Sequence, residues 1–435
     1  MAGYGTLDRR MPKDAPSTSE HRGPVVPGAS RKRAALVCAF PVPLAVALPD
    51  SGQVIGRAFL AERGLADTEV SGQHLKIDRA GGALRVADAG SRNGTWVNGA
   101  RLSPRDLTPL DDGAVIRMGR TIFVYRRALE GSFDPAPPLE GLAGPFGLRA
   151  VSAAVAGLGR SHPRNVLIAG ETGVGKELVA RAVAGVLGRS TPFSAVNVAG
   201  VARSVFESQM FGHVAGAFSD AKSASPGVVA AHEGGALFLD EIGELDLDLQ
   251  VKLLRLLENR EVLPVGAPRP VRVDVLVIAA TNRDLEAMVE EGLFRRDLHA
   301  RLAMAEIDIP PLRHRREDIF AVAAELIRRA GGTLRADDVE VEAMERLLLA
   351  PWPSNVRGLD ACLAAARRLD PAPGLRLWSI DEVLGGGGSP ATALTEEIVE
   401  AAIQAEGGNV TAAAEKLGVT RAKLIRFRKR QKSQP

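Results

Sequence analysis

From Ala34 to Arg127 the apolar positions come in short runs broken by glycine, asparagine and aspartate. The clearest are Leu75-Lys76-Ile77, Ala83-Leu84-Arg85-Val86, Thr95-Trp96-Val97, Val115-Ile116-Arg117-Met118 and Ile122-Phe123-Val124-Tyr125. Strands at this spacing predict an all-β sandwich over residues 34–130. Asn93-Gly94 and Asn98-Gly99 supply hairpin turns within it. The run from Ala34 to Pro49 reads as its first strands, because Pro41 and Pro43 interrupt it and it falls short of the ~20 residues a membrane helix needs. Residues 1–33 are polar and carry no apolar period, so a flexible tail is expected there.

Prolines crowd the stretch 131–145, which reads as a linker. Beyond it the pattern changes. Buried-strand runs at Val166 to Ala169, Ala236 to Leu239 and Val273 to Ala280 alternate with helical segments, predicting a parallel α/β sheet over 146–312. Residues Glu317 to Ala330, Asp338 to Leu349 and Val356 to Leu369 then show the 3.6-residue period of amphipathic helices, giving a helical subdomain over 313–384. Glycines end it at a tether over 385–390, and a small all-α piece is expected over 391–435.

Composition narrows the class. At 435 residues, 46% hydrophobic and 25% charged, the chain can bury a core in each of several domains. Aromatics at 4% disfavour an aromatic-rich carbohydrate binder. Cys38 and Cys362 stand far apart with no Cys/His cluster, which excludes a disulfide framework and a thiolate zinc site and fits a reducing cytoplasm. Net charge is only +3, so any nucleic-acid surface must be local. The place to look is Arg421 to Lys432, with seven cations and no acid.

The strongest chemistry follows the strand Val166 to Ala169. Gly170-Glu171-Thr172-Gly173-Val174-Gly175-Lys176 has the G-x-x-x-x-G-K spacing in strand-loop-helix context, so backbone N–H groups close around phosphates and Lys176 adds a cation. Glu177 stands where a Ser or Thr usually meets Mg2+. A second apolar strand ends in Asp240-Glu241, an acid to hold Mg2+ and an acid to polarise water for attack on the γ-phosphate of ATP. A third ends in Thr281-Asn282, at the tip of the sheet where that phosphate would sit. Arg295 and Arg301 lie six residues apart, and Arg357 follows Trp352-Pro353-Ser354-Asn355-Val356 on the helical subdomain.

With these residues in place, the chain from about 165 to 360 resembles the AAA+ domain of bacterial enhancer-binding proteins, the ATPases that activate RNA polymerase bearing sigma-54. That family keeps a Glu after the Lys, as Glu177 does here. The resemblance implies that Asn197, ending Phe193-Ser194-Ala195-Val196, restrains Glu241. It implies that Asn282 is the first sensor, that Arg295 and Arg301 are offered to a neighbour's ATP in a homo-oligomer, most simply a hexamer, and that Arg357 is the second sensor. Gly216-Ala217-Phe218-Ser219-Asp220-Ala221 resembles the family's sigma-contacting loop, normally Gly-Ala-Phe-Thr-Gly-Ala. Ser219 loses a methyl, and Asp220 puts a charge and a Cβ where glycine was free to take positive φ.

The sandwich resembles a forkhead-associated (FHA) domain, a phosphothreonine reader, through Gly56-Arg57, Val70 to His74, Gly90 to Thr95 and Val97-Asn98-Gly99. By position Arg57 and Ser71 would bond phosphate, Asn93 would hold the ligand backbone and His74 would brace the loop. Gly72 and Arg92 depart from the family pattern. Asn409 to Arg430 resembles a Fis-type helix-turn-helix, leaving Thr420, Arg421, Lys423 and Arg426 to face the major groove of duplex DNA.

Two readings compete. One is an ATP-driven activator tethered to upstream DNA, moving the Gly216 to Ala221 loop against sigma-54 and gated by a phosphoprotein at the sandwich. The other is a DNA-bound adaptor or repressor that binds nucleotide and phosphoprotein without remodelling polymerase. A small-molecule P-loop kinase is disfavoured, since it needs neither trans arginines nor a basic C-terminal helix.

Overall fold

The computed structural model describes residues 32–410 apart from 50, 81–82, 130, 137–138, 140, 200–202, 220, 386–395 and 408. The expected tail, most of the tether and the residues from 411 onward therefore fall almost wholly outside the described residues.

The sandwich strands are β1 (Arg33–Phe40), β2 (Leu44–Ala47), β3 (Val54–Ile55), β4 (Leu75–Ala80) and β5 (Ala83–Asp88). They continue with β6 (Thr95–Val97), β7 (Ala100–Arg101), β8 (Thr108–Pro109), β9 (Val115–Met118) and β10 (Thr121–Leu129). A six-stranded sheet runs β2-β1-β10-β9-β6-β7 and a four-stranded sheet runs β3-β4-β5-β8, with every pairing antiparallel. Side chains such as Leu36, Cys38, Ile77, Ile116 and Phe123 fill the space between them. A short helix, Arg57–Ala61, interrupts the strands where the sequence pattern predicts none.

One face of a sandwich sheet normally meets water, and its strands alternate. Here Ala35 to Phe40 of β1 and Thr121 to Tyr125 of β10 are buried without alternation. The second face of the six-stranded sheet is covered too. Phe146, at the start of the ATPase segment, packs on Ala35, Val37 and Ala45. Farther along, Phe40, Val115, Ile122 and Val124 join one apolar core with Ile319, Met344, Leu347 and Leu363 of the helical subdomain.

The α/β unit contains β11 (Asn165–Ala169), β12 (Phe193–Asn197), β13 (Ala236–Asp240), the hairpin β14 (Glu261–Val262) and β15 (Val271–Arg272), β16 (Leu276–Thr281) and β17 (Glu306–Asp308). Its sheet runs β12-β13-β16-β11-β17, all parallel. The apolar run before β16 contributes buried Val273 and Val275 but pairs only from Leu276. Separate apolar layers on the two faces bury the central strands β13, β16 and β11, while the edge strands β12 and β17 stay partly exposed, as expected of a sheet sandwiched between helices.

Helices Ile319–Arg329, Val341–Leu349, Asn355–Leu369 and Leu377–Leu384 form the lid. The first starts later than its periodicity predicts, because Arg316–Asp318 is a 3-10 turn. Buried Asp318 there accepts hydrogen bonds from the backbone N–H groups of Phe146 and Gly147, at 3.1 and 3.0 Å. Among the described residues no helix is long and apolar enough to cross a membrane. Cys38 and Cys362 are both buried and free.

Candidate functional site

The carboxyl ends of β11, β13 and β16 converge at one edge of the parallel sheet, where open α/β folds place ligands. From β11 the chain turns through Gly170 to Gly175 into helix Lys176–Val186. Lys176 is 7% exposed, and its Nζ donates to the Gly170 and Glu171 carbonyls at 2.9 and 3.3 Å. Burial draws its pKa down, against the pull of Asp240 and Glu241. At the end of β13, burial pushes the Asp240 carboxyl up while Lys176 opposes the shift. The Glu241 N–H donates to Asp240 Oδ1 at 3.0 Å, and Glu241 takes a left-handed conformation, φ 59°. Just beyond β16, Asn282 Nδ2 donates to Thr172 Oγ1 at 3.1 Å.

The lid closes on the same loop. Gly173 has φ +79°, and a Cβ there would lie 2.4 Å from the Ser354 carbonyl and 3.1 Å from the Arg357 Cβ, so only glycine fits. Arg357 is thereby placed beside the phosphate loop, near enough to Lys176 to influence its charge.

The other sequence-expected residues are distributed as follows. Asn197 stands opposite Asp240 in the β12–β13 register, and its Oδ1 accepts from the Ala199 N–H at 2.7 Å. Arg295 pairs with Asp297 at 2.7 Å and Arg301 with Glu258 at 3.0 Å, both half-exposed. Glu177 forms an exposed i,i+4 pair with Arg181.

Sequence reasoning assigned Glu171 to the loop but missed what its carboxylate does. Arg313 grips it with both guanidinium ends, at 2.8 and 2.5 Å, and Asn355 Nδ2 donates to it at 3.0 Å. Together they hold its pKa down to about 2. Val356 N–H donates to the Gly173 carbonyl at 2.9 Å, and Arg315 donates to Val174 O at 3.1 Å. The cation-rich run Arg313-His314-Arg315-Arg316 was the available signal, but its targets lie more than a hundred residues earlier.

In the arm from Gly212, the Gly216 N–H reaches the Ala221 carbonyl at 2.8 Å and closes a tight loop. Phe218 is 43% exposed, its ring 5.0 Å from that of His213. A 550 Å³ groove lies between it and the helix Arg203–Phe211. Asp220 lies outside the described residues.

In the sandwich, Arg57 opens the short helix and donates to the Val70 and Thr68 carbonyls, at 2.9 and 3.1 Å. Its neighbour Gly56 admits no side chain, since a Cβ would fall 1.8 Å from the Gly72 carbonyl. His74 is fully buried: its Nδ1 accepts from the Ser71 N–H at 3.0 Å, so Nε2 carries the proton and donates to Gly94 O at 3.1 Å. Ser71 Oγ accepts from the Arg92 N–H, and Asn93 Nδ2 donates to Glu69 O. Arg57, Ser71, His74 and Asn93 are thus brought together at one end of the sandwich. Asp88, unremarked in the sequence, organises that end. Burial would raise its pKa, but Ser91, Thr95 and Gly90 donate to it and bring it below the usual range. Thr420, Arg421, Lys423 and Arg426 lie outside the described residues.

A five-stranded parallel sheet with a phosphate loop, a strand-end acid pair and a helical lid against that loop defines a P-loop ATPase fold of the AAA+ class. Family models match in chain order: the FHA domain over residues 54–119, the sigma-54 interaction domain over 149–308, and the bacterial regulatory protein, Fis family, over 396–430. The chain thus carries an FHA domain, a sigma-54 interaction domain and a Fis-type segment in that order, an arrangement similar to that of bacterial enhancer-binding regulators. It is 43% identical over 242 residues to the regulatory protein LuxO of Vibrio cholerae, covering 53% of this chain and 45% of that one. To the transcriptional regulatory protein ZraR of Escherichia coli it is 40% identical over 272 residues, covering 60% and 62%. The chain spans less than two thirds of the length of these relatives. The crystal structure of NtrX from Brucella abortus in complex with ADP aligns with a TM-score of 0.50 at 28% identity, covering 65% of this chain and 68% of that one.

Proposed function

We propose that this chain is an ATP-hydrolysing transcription regulator that binds upstream DNA and acts on RNA polymerase bearing sigma-54. The observation that carries the reading is the convergence of Lys176, Asp240, Glu241, Asn282 and Arg357 around one phosphate loop at the carboxyl edge of the sheet. In this reading the loop N–H groups from Gly170 to Gly175 and Lys176 Nζ bind the phosphates. Lys176 exchanges the Gly170 and Glu171 carbonyls for phosphate oxygens. Glu241 orients the attacking water and accepts its proton, and Asn282 and Arg357 report on the γ-phosphate.

The donors at the strand end are hard carboxylate oxygens, and among the described residues no cluster of three metal-ligating side chains exists. That suits Mg2+, which binds through one or two carboxylates plus substrate phosphates. Asp240 would hold it, and it would neutralise charge on the phosphate oxygens.

Arg295 and Arg301, paired only on the surface, are available to a neighbouring subunit's ATP, which makes a homo-oligomer, a hexamer in the simplest case, the active form. Phe218 presents an apolar contact to sigma-54 from the Gly216 to Ala221 loop. Thr420, Arg421, Lys423 and Arg426 read DNA, and the sandwich gates the machine by binding a phosphothreonine protein through Arg57, Ser71 and Asn93. Cytoplasmic work on the chromosome follows from these partners. Ser219 and Asp220 in the sigma loop favour one second reading, a DNA-bound adaptor or repressor that leaves polymerase alone.

Transcription in vitro from a sigma-54 promoter decides between them. ATP-dependent open complexes are expected with the full chain. ATP hydrolysis without open complexes, unrelieved by Asp220→Gly, would leave the adaptor or repressor.

A further inference from the structure

The four residues 315–318 face three ways at once. Arg315 is 1% exposed and donates to Val174 O in the phosphate loop at 3.1 Å, with its Nε left unpartnered. It lines a small cavity of about 40 Å³, together with Leu142, Gly175, Leu178 and Val356, between the phosphate loop and the lid. Asp318 takes the backbone N–H groups of Phe146 and Gly147, where the linker enters the ATPase.

The third side belongs to the sandwich. Arg126, on β10, donates through Nε to Glu317 Oε1 at 3.1 Å and through Nη2 to Glu317 Oε2 and to His314 O, the latter at 2.7 Å. Its Nη1 holds Asp112 at 3.2 Å. The pair is sequestered, with side-chain exposures of 14% for Arg126 and 3% for Glu317. From the other direction Arg316 Nη1 donates to Gly113 O of the sandwich at 3.0 Å. A strand of the N-terminal domain thus clamps the turn whose first residue touches the phosphate loop.

Resting on the nucleotide-binding reading above, we propose that the sandwich is a built-in part of the nucleotide site and that Arg126 is its positioning residue. Docked, the sandwich holds the 315–318 turn in register with Val174 and strengthens nucleotide binding. Without Arg126, the Glu317 carboxylate is left buried and unpaired beside Asp318, a costly arrangement. The turn relieves it by moving outward and draws Arg315 away from the loop.

The joint supplies its own control. Arg117 on β9 pairs with Glu345 at 2.8 Å and Glu342 at 3.2 Å and stacks on Trp96, so it too is a buried interdomain arginine. Its hydrogen bonds go to helix Val341–Leu349, however, and none to the turn. The test is titration of the full chain with the fluorescent analogue mant-ADP, alongside thermal melting without nucleotide.

Arg126→Ala is expected to weaken mant-ADP binding roughly tenfold, the ordinary size of a coupling between sites, and Arg126→Lys to recover most of the loss. Arg117→Ala should lower the melting temperature as much yet leave affinity within about twofold of wild type. Unchanged or tighter binding by folded Arg126→Ala would overturn the proposal, and so would equal weakening by Arg117→Ala. Should Arg126→Ala fail to give a cooperative melt, Glu317→Gln takes its place: it keeps the volume, removes the charge, and must weaken binding for the proposal to stand. A wild-type chain that does not bind mant-ADP would instead sink the nucleotide reading itself.

Discussion

The nucleotide site and the joint between sandwich and lid both rest on arginine–carboxylate pairs, yet their residues are distributed through the chain in opposite ways. The proposed phosphate-binding atoms come from seven consecutive residues, 170 to 176, and a motif of that kind carries its geometry with it. The joint is assembled by Arg117 with Glu345 and Arg126 with Glu317, partners 228 and 191 residues apart. The pairs also differ in environment. Arg295–Asp297 and Arg301–Glu258 are exposed and free to exchange partners, whereas those of the joint are buried and commit the two domains to one arrangement. Buried pairs here mark a structural union, whereas the exposed Arg295 and Arg301 pairs are the ones proposed to open toward another molecule.

The comparison breaks first at the chemistry. Glu241→Gln should keep ATP binding and lose hydrolysis by about 10²- to 10⁴-fold, the usual weight of a general base. Phosphate release measured beside equilibrium binding checks it, and near-normal turnover would remove Glu241 from its role.

On the other side of the comparison, Phe40 is fully buried and meets Phe320 of the lid edge to face, with ring centroids 5.0 Å apart. Phe40→Ala should cost about 3–5 kcal/mol, and because the apolar core is shared, sandwich and lid should lose hydrogen-exchange protection together. Lid helices that stay protected while the sandwich opens would show two independent units.

The tie between Glu171 and Arg313 is exposed, so Arg313→Ala should cost no more than about 1 kcal/mol. Its pH dependence has a definite sign. The carboxyl is depressed from 4.5 to about 2 in the folded chain, so its contribution is present above 4.5 and fades as pH falls toward 2. The melting difference between wild type and variant should therefore shrink on acidification through that window, and a gap that widens would contradict the assignment.

The smallest effect on stability is expected from Phe218→Ala, within about 0.5 kcal/mol for an exposed side chain. Its consequence should appear only in engagement of sigma-54, measured as a trapped complex with ATP hydrolysis intact.

How much of this was legible in the sequence follows the same division. The strand-loop-helix around Lys176 and the acids after β13 were readable because each lies within a few residues of the element that presents it. Three of the four lid helices were legible as periods, but not the short Leu377–Leu384 nor the Arg313–Glu171–Asn355 grip, since no local rule says which carboxylate a distant arginine finds. The short helix at Arg57 escaped because its segment has no helical period and exists to seat Gly56 against Gly72. One signal for the joint was present and unused. Ala34-Ala35-Leu36-Val37-Cys38-Ala39-Phe40 and Ile122-Phe123-Val124-Tyr125 are continuous apolar runs where a sandwich strand with one wet face should alternate. Such runs announce that something covers the second face. What covers it, a lid more than 180 residues farther on, only the structure could say.

The most direct test of the account is ATP turnover by the full chain against Lys176→Ala, followed as phosphate release with Mg2+ present. Wild type should release phosphate and Lys176→Ala should not, because its buried ammonium group is held inside the phosphate loop against the Gly170 and Glu171 carbonyls. Equal turnover by the two proteins would contradict the assignment of the site.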